Sequence, residues 1–592
     1  MTSQRSTKRR LAVGTGLVVA TLLSTAACGG GGGKSDDDGA AKAAGFNAAL
    51  KGVANASDKK GGTLKYIGTQ DADFWDPTRG YYGFMWDFSR YYARQLVTYA
   101  PKPGAGSTEL VPDLATSTGE VSADGKTYTF KLKDGITWED GSEITSKDIK
   151  YGIERIWAQD VLSGGPIYLQ QVLDPKGEYK GPYKDTTPDK LGLKAIETPD
   201  DKTIVFKLPK ANGDFLQMLA LPSGSPVKAS MDTKAKYTLK PFSSGPYKFK
   251  SYTPNKSMTL VRNDEWKQSS DEVRKALPNE ITVTFTTNAD DMDKRLMKGD
   301  YDLDINATGI GQAARSEALK QHKDNLDNGQ TGFIRYAVFP QTVKPFDNIH
   351  CRKAAIYAAD HKSLQTARGG PQAGGDIAPN MLPLSIKGAD GKYDPYGLLT
   401  DTTGNLDKAK EELKACGKPT GFKTVIAVRN NKPVEVATAV SLQASLKRVG
   451  IEADIDQFDG AQTSGIIGAP KVVKQKGYGI IIMGWGADFP SGQGFSQPLV
   501  DGRFILESGN NNFSELNDPE VNKLFDQAIA ETDPVKAGEI YKQMNQKVSE
   551  AAVYLPFVYD KTITWRSSRL TNAYVADAYN GRYDYVNLGV VK

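Results

Sequence analysis

A carboxylate follows an apolar run near the carboxyl-terminal end of the chain. Residues 480–485 read Ile-Ile-Ile-Met-Gly-Trp, which indicates a buried strand, and Asp488 follows in the next turn of chain, before Pro490. Ligands of α/β proteins bind at the carboxyl ends of sheet strands, so Asp488, Trp485 and Gly484 are candidate ligand-binding residues. Two structural alternatives stay open, because an aspartate before a proline also caps turns and a tryptophan also fills cores.

The sequence lacks the common enzyme motifs. It contains no G-x-S-x-G and no H-E-x-x-H. Gly33-Lys34-Ser35 resembles the end of a P-loop, but Cys28 stands where that motif needs its first glycine. We therefore predict a binding protein rather than an enzyme. A hydrolase is the alternative, since a nucleophile and its base can lie far apart in sequence.

The net charge and the histidine positions argue against nucleic acid and metal ions as partners. The formal net charge is +5, but the first 27 residues hold four basic and no acidic side chains, which leaves +1. A nearly neutral chain gives no reason to expect nucleic acid. The three histidines, His322, His350 and His361, have no metal-ligand spacing, so we predict neither a metal nor another cofactor.

The first residues have the pattern of an export signal. A basic segment precedes the uncharged apolar stretch 11–27, and Cys28 follows two alanines. We predict a signal peptide over residues 1–27, with export by the general or the twin-arginine route. We also predict a lipid on Cys28 that anchors the exported protein to the outer face of the cytoplasmic membrane. The glycine- and aspartate-rich sequence that follows predicts a flexible tether over residues 28–60.

Two further cysteines suggest a disulfide. An exported chain with Cys351 and Cys416 beyond the anchor is expected to bridge them. The bridge would close a long loop, which in the chain-entropy model stabilises a fold by about 4 kcal/mol.

The elements that position these residues are those of an α/β protein. Residues 127–132 alternate polar and apolar side chains as a half-buried strand does, and two Asp-Gly turns and a helix starting after Thr145 follow. Residues 203–209 repeat the strand pattern and predict a sheet partner. Asp518-Pro519 and Asp533-Pro534 predict the starts of two carboxyl-terminal helices.

The order of residues in 124–157 resembles the signature of the family 5 extracellular solute-binding proteins. It reads D-G-x-x-Y-x-F-x-L-x-x-G-x-x-W-x-D-G, followed by the predicted helix. Further matches are the Leu110–Ala115 segment, the Ser243–Phe249 turn and strand, and Gly484-Trp485 with Asp488 and Phe489. The resemblance covers roughly residues 62–592.

The resemblance implies an α/β, two-lobed periplasmic-binding-protein-like fold (type II, cluster C) with an extra subdomain on lobe 1. The expected domain bounds follow from it. Lobe 1 would comprise residues 61–94, 216–336 and 553–592, the subdomain residues 95–215, and lobe 2 residues 337–552.

The resemblance also implies a function. We expect a monomeric, lipid-anchored binding component of an ABC importer, which captures di- or oligopeptides between its lobes and delivers them to a permease whose ATPase lies on other chains. Asp488 would hold the peptide α-ammonium, with Gly484 and Trp485 beside it, and the loop with Phe74 and Trp75 would face the cleft.

The resemblance leaves alternatives open for the ligand and for the role of the protein. Some oligopeptide binders carry an arginine three residues before the tryptophan that grips the ligand carboxylate, but this chain has Ile482, which leaves carboxylate recognition and peptide length open. A nickel chelate, haem or an oligosaccharide could replace the peptide. A receptor for a peptide signal and an exported lipoprotein hydrolase are the remaining rivals.

Overall fold

The computed structural model describes residues 44–591, apart from the side chain of Ala461. The predicted signal peptide, the predicted lipidation site Cys28 and the first part of the predicted tether lie outside the described residues. Within the described part of the chain, no helix combines the length and the apolar character needed to cross a membrane.

The strands are numbered in chain order. They are β1 (Thr63–Gly68), β2 (Val97–Tyr99), β3 (Leu110–Pro112), β4 (Glu120–Val121), β5 (Thr127–Lys131), β6 (Ile196–Asp200), β7 (Thr203–Lys207), β8 (Tyr247–Thr253), β9 (Ser257–Arg262), β10 (Glu280–Phe285), β11 (Leu303–Asp304), β12 (Leu326–Val338), β13 (Asp376–Ile377), β14 (Phe422–Arg429), β15 (Ile451–Phe458), β16 (Tyr478–Gly486), β17 (Tyr554–Trp565), β18 (Leu570–Thr571), β19 (Val575–Ala576), β20 (Arg582–Tyr583) and β21 (Gly589–Val590).

The α-helices are numbered in the same way. They are α1 (Ala48–Lys51), α2 (Gly83–Ser89), α3 (Ser146–Glu154), α4 (Tyr168–Leu173), α5 (Phe215–Leu219), α6 (Ala289–Lys298), α7 (Gln312–Gln321), α8 (Ile349–Ala358), α9 (His361–Ala367), α10 (Gly370–Ala373), α11 (Leu406–Ala415), α12 (Pro433–Lys447), α13 (Thr463–Ile466), α14 (Pro470–Lys476), α15 (Gly492–Val500), α16 (Pro519–Ala530) and α17 (Pro534–Glu550).

Lobe 1 is built on a five-stranded sheet in the order β11-β1-β10-β9-β8. The first three strands are parallel and the last two pairings are antiparallel. Helix α6 connects β10 to β11, and β1 lies between them in the sheet. Segment 280–304 is therefore a β-α-β unit.

The subdomain carries a four-stranded antiparallel sheet in the order β4-β5-β7-β6. The 203–209 segment pairs directly with the signature strand, since Phe130 faces Ile204. Helix α3 begins as the sequence indicates, because Thr145 and Asp148 form a capping box. One continuous core joins this sheet to lobe 1, so the subdomain packs as part of that lobe.

Lobe 2 is built on a six-stranded sheet in the order β13-β17-β12-β16-β14-β15. Strands β14, β15 and β16 are parallel, whereas β12 and β17 run antiparallel to their neighbours. Helices α16 and α17 start at the predicted aspartate caps, since the Asp518 and Asp533 side chains accept backbone N–H groups. Both helices cover one face of the sheet.

Strands β12 and β17 pass through both lobes. Leu326 and Trp565 lie in a lobe 1 cluster, whereas Ile334 and Tyr559 lie in the lobe 2 core. Their pairing shifts register between Gln330 and Ile334. The expected boundaries at 336/337 and 552/553 are corrected accordingly, because the chain changes lobe inside these two strands rather than before or after them.

The described end of the predicted tether is packed rather than free. Ala49 is buried, and its backbone N–H donates to the Asp327 carboxylate at 3.0 Å. Ala54 forms an antiparallel bridge with Ala573. Small apolar side chains beyond the glycine-rich part dock on lobe 1, so the tether prediction fails for this end of 28–60.

Candidate functional site

Strand β16 has one unpaired edge where it approaches the other lobe. Its neighbour β12 pairs with it as far as Gly486, but β14 pairs with it only as far as Ile481. Between Ile482 and Gly486, no strand within residues 44–591 covers the β14 side. We call this backbone the free edge; its N–H and C=O groups can pair with an extended ligand, as β-strand addition requires.

Asp488 lies just beyond the free edge, between the lobes. The hydroxyl groups of Tyr81 and Tyr168 donate to the same carboxylate oxygen, at 2.6 and 2.5 Å. Burial raises the pKa of Asp488 to about 6, although both hydroxyl groups lower it. No arginine, lysine or histidine of the described chain forms an ion pair with this carboxylate. It is therefore suited to a cationic group of a ligand.

The hydrogen bonds of Asp488 decide against its alternative role as a turn cap. The only hydrogen bonds that the described residues make to its carboxylate are those from the two tyrosines, so the side chain does not cap the turn before Pro490. The turn is closed instead by backbone, since Asp488 N–H donates to the Gly494 carbonyl at 3.1 Å.

The loop after β16 contacts lobe 1 and the subdomain. Phe489 is buried in their shared core and makes an edge contact with Tyr168, with ring centres 5.1 Å apart. Ser491 donates a hydrogen bond to Asp214 at 2.6 Å. The lobes are therefore closed on each other at this loop.

The space beside Asp488 is small in this closed conformation. A void of about 10 Å³ is lined by Asp488 and by side chains that include Trp86, Arg90, Tyr99 and Tyr579. That volume holds about one water molecule. Entry of a larger ligand requires the lobes to separate, and the crossing strands β12 and β17 are where they can bend.

Two predicted site residues lie on the free edge itself. Trp485 is half-buried, and its indole N–H donates to the Phe495 carbonyl at 3.0 Å. It packs against the lobe 2 core, with part of its surface still accessible. Gly484 lies opposite Arg335, and a Cβ at this position would come within 2.6 Å of the arginine Nη1 atom. A larger residue at this position would force the Arg335 side chain to move from its path across the strand.

The loop with Phe74 and Trp75, which was expected to face the cleft, provides fewer cleft-lining side chains than predicted. Trp75 is 0% exposed; its indole donates to Asp71, and its ring makes an edge contact with Phe88. The prediction that Trp75 lines the cleft is corrected, because the side chain fills the lobe 1 core. Phe74 is half-buried and is covered by the Arg79 guanidinium, 3.5 Å from the ring centre.

The two cysteines of lobe 2 are bonded to each other, and the described residues contain no cluster of metal-ligating side chains. Cys351 of α8 and Cys416, directly after α11, form a disulfide with Cα atoms 5.3 Å apart. In residues 44–591, no group of three or more His, Cys, Asp or Glu side chains is placed to hold a metal ion.

The tyrosines that hold Asp488 are not evident from the sequence. Tyr81 is one of eight aromatic residues between positions 81 and 99, and the sequence alone does not distinguish it from the others. Tyr168 is 320 positions from Asp488 in the chain, so only the fold brings the two together. Tyr168 is the first residue of the short helix α4, and nothing in the local sequence pattern indicates that its hydroxyl reaches another lobe.

The chain is similar in sequence to a known family of proteins. The model of the bacterial extracellular solute-binding proteins, family 5 Middle, matches residues 109–505. Heme-binding protein A of Haemophilus influenzae is 27% identical over 472 residues, covering 76% of this chain and 79% of the relative. Oligopeptide-binding protein OppA of Bacillus subtilis is 26% identical over 462 residues, covering 75% and 79%.

Solved structures agree in fold. Clavulanic acid biosynthesis oligopeptide binding protein 2 superposes with a TM-score of 0.89 at 39% identity, covering 93% of this chain and 99% of that one. The periplasmic binding protein DppA of Helicobacter pylori, in complex with peptide STSA, superposes with a TM-score of 0.72 at 22% identity, covering 90% and 99%. The predicted two-lobed α/β fold is confirmed, and the chain belongs to family 5 of the bacterial extracellular solute-binding proteins.

Proposed function

We propose that this protein is the extracytoplasmic binding component of an ABC importer and that its ligands are short peptides. The observation that carries the proposal is the Asp488 carboxylate, which lies at the end of the free edge and accepts two hydroxyl groups but pairs with no cation among residues 44–591. A peptide offers the two complements of this site, an α-ammonium for the carboxylate and a backbone for the unpaired strand edge.

The free edge supports a peptide over a rigid small molecule. Backbone pairing depends on no particular side chain, so it suits a protein that takes peptides of varied sequence. The α-ammonium would form a charge-assisted hydrogen bond with Asp488, which is strong because the closed lobes exclude water. The pKa of Asp488 would fall on binding, since a nearby cation favours the ionised carboxylate.

The names of the relatives support peptides without excluding other ligands. OppA of B. subtilis is named for oligopeptides, and the H. pylori structure contains a peptide. H. influenzae protein A is named for haem. Native mass spectrometry of the purified protein, followed by identification of what it releases, separates these possibilities. Released peptides would support the proposal, whereas haem or another single compound would contradict it.

Calorimetric titration tests the role of Asp488. The probes are alanine peptides of two to five residues and their N-acetyl derivatives, which lack the ammonium group. Acetylation should weaken binding by about 10- to 100-fold, the range for a hydrogen bond to a charged group. In Asp488→Asn the free and acetylated peptides should bind almost equally.

A matched control separates this effect from a general loss of a carboxylate. Asp456 also accepts a tyrosine hydroxyl, at 2.7 Å, but lies in β15. Asp456→Asn should leave the preference for a free amine unchanged. Equal binding of free and acetylated peptides to the unaltered protein would show that Asp488 does not hold an ammonium.

We further propose that the protein is exported, loses residues 1–27 and carries its lipid on Cys28, which keeps it beside a membrane permease. The basic segment, the uncharged apolar stretch and the cysteine after two alanines support this. Mass spectrometry of the amino-terminal peptide tests it. A mature chain that begins elsewhere than Cys28, or a Cys28 without lipid, would contradict it.

A further inference from the structure

A second cavity lies between the subdomain and lobe 2, further along the loop that follows β16. We call it the subdomain cavity, and its volume is about 90 Å³. The residues that line it include Asp214, Gln217, Ser491, Gly492, Glu531 and Tyr541. It shares no lining residue with the void beside Asp488, so it is a separate space rather than an extension of that void. It has room for a small organic group but not for a peptide.

The walls of the subdomain cavity come from both lobes. The Gly213 N–H donates to the Ile529 carbonyl at 2.8 Å, and a Cβ at Gly213 would lie 2.2 Å from the Glu531 carbonyl oxygen. The subdomain therefore packs directly against the connection between α16 and α17. Separation of the lobes would pull these walls apart, so anything bound in the cavity binds the closed form alone.

Asp214 is only partly satisfied on the cavity wall. Its Oδ2 atom accepts the Ser491 hydroxyl at 2.6 Å, whereas its Oδ1 atom accepts no hydrogen bond from residues 44–591. No arginine, lysine or histidine in this part of the chain forms an ion pair with it, and burial raises its pKa to about 6. The carboxylate therefore lacks both a second donor and a countercharge.

The Tyr541 hydroxyl is a second unsatisfied group in the cavity. Tyr541 is 3% exposed, and its hydroxyl has no hydrogen-bond partner among the described residues. The hydroxyl lies near Asp214, because burial and, after it, the negative charge of that carboxylate raise the pKa of Tyr541. The Tyr541 ring packs against Gly492, where a Cβ would come within 2.1 Å of it. Because buried polar groups are nearly always paired, this hydroxyl and Asp214 together mark a place for a donor.

A small ammonium group complements these two oxygens. Both can accept a hydrogen bond and one carries a negative charge, so the missing partner is a cation with N–H donors. A divalent metal ion fits poorly, since in residues 44–591 no group of three or more metal-ligating side chains is placed to hold one. Lys387, the only cationic side chain among the described lining residues, is exposed to solvent and leaves Asp214 unpaired.

We propose that the subdomain cavity is a second ligand site, which takes a small ammonium compound and thereby favours the closed form of the lobes. The proposal does not depend on which ligand the interlobe cleft takes. Because coupling between two sites is reciprocal, closure by the ammonium compound should also raise the affinity of the cleft for its own ligand. The protein would then bind that ligand more tightly where small amines are abundant.

Small-angle X-ray scattering of the empty protein at pH 7.5 tests the proposal, with methylammonium, potassium and tetramethylammonium chlorides at one ionic strength. A ligand of two heavy atoms binds no more tightly than about 5 mM, so 50 mM methylammonium should raise the ratio of closed to open molecules by up to about tenfold. Potassium and tetramethylammonium, which have no N–H donor, should not raise it. The melting temperature should rise with the same selectivity, even if the empty protein is already closed. If methylammonium acts no more strongly than potassium on both readouts, the proposal is overturned.

Variants locate the bound methylammonium. Asp214→Asn should abolish its effect, and Tyr541→Phe should weaken its binding by about tenfold while leaving the charge of Asp214 in place. Tyr478→Phe is the matched control and should leave the effect unchanged, because the Tyr478 hydroxyl pairs with Asp456 in lobe 2, outside the cavity. Loss of the effect in Asp488→Asn but not in Asp214→Asn would place the methylammonium at the peptide site and overturn the assignment.

Calorimetric titration of the alanine peptide that binds best tests the coupling. Its affinity should be higher in methylammonium than in tetramethylammonium, by the same factor as the closed form is favoured. A lower affinity would mean competition for Asp488 and would contradict the coupling. If no peptide binds, the peptide proposal fails, but the scattering and melting of the empty protein still decide whether the subdomain cavity takes an ammonium compound.

Discussion

The contact between the lobes should depend on pH. Asp488 and Asp214 each connect the loop after β16 with lobe 1 or its subdomain, through hydroxyl groups of Tyr81, Tyr168 and Ser491. Burial raises the pKa of both carboxyl groups to about 6 in this closed conformation. When the lobes separate, both become exposed and return to about 3.9, the value in water. The closed form of the empty protein therefore binds protons more readily than the open form.

The sign and the size follow from these values. A carboxyl group with a raised pKa favours the closed form as pH falls, and this contribution is lost as pH rises through about 6. Between pH 7 and pH 5, each of the two carboxyl groups should raise the ratio of closed to open molecules by about tenfold. Together they should raise it by about 100-fold, unless the two sites interact.

Small-angle X-ray scattering of the empty protein at these pH values measures the change, because closure reduces the radius of gyration. Asp488→Asn and Asp214→Asn should each halve the change in the logarithm of the ratio of closed to open molecules. The double variant should show almost no change in this ratio. A double variant that still closes on acidification would refute the reasoning, as would an unaltered protein that stays equally open at both pH values.

Three further predictions concern stability and membrane attachment. Asp113 is fully buried between Arg94 and Arg274, each at 2.8 Å, so Asp113→Asn should lower the free energy of unfolding by about 3–5 kcal/mol in denaturant titration. Asp134→Asn should change that free energy by less than about 0.5 kcal/mol, because Asp134 is exposed, and a similar loss in both would contradict the first expectation. The Cys351→Ser and Cys416→Ser double variant removes a bridge over 65 residues and should lose up to about 4 kcal/mol, whereas unchanged melting under oxidising conditions would mean that the bridge does not form in solution. Cys28→Ala should move the protein from the membrane fraction to the soluble fraction on cell fractionation, and retention in the membrane would rule out a lipid on Cys28 as the anchor.

The sequence predicted what depends on local pattern. Strand alternation located β5 and β7, the apolar run located β16, and aspartate-proline pairs located the starts of α16 and α17. Each of these signals comes from neighbouring residues that share one backbone conformation. The position of Asp488 beyond β16 followed from the same reasoning.

Features that depend on distant parts of the chain were not predicted. The contact of Tyr168 with Asp488 and the ion pair of Arg335 with Asp560 bring together residues from separate elements. Trp75 was expected in the cleft because the family resemblance implies that its loop faces the ligand. An aromatic residue in a loop looks the same in sequence whether it faces a cleft or a core, so the burial of Trp75 could not be predicted. The lobe boundaries were displaced because a long strand carries no mark where it leaves one core and enters another.

The crossing of β12 and β17 constrains the order in which the molecule can fold. Lobe 2 is built from one continuous stretch between these strands, whereas lobe 1 needs both ends of the chain, since Ala54 bridges Ala573 and the Tyr585 hydroxyl donates to the Ile305 carbonyl. A chain made from its amino end can therefore complete lobe 2 while lobe 1 still lacks its last residues. Truncation of the final segment would leave a folded lobe 2 attached to an unfinished lobe 1, with its apolar core open to proteases and to aggregation.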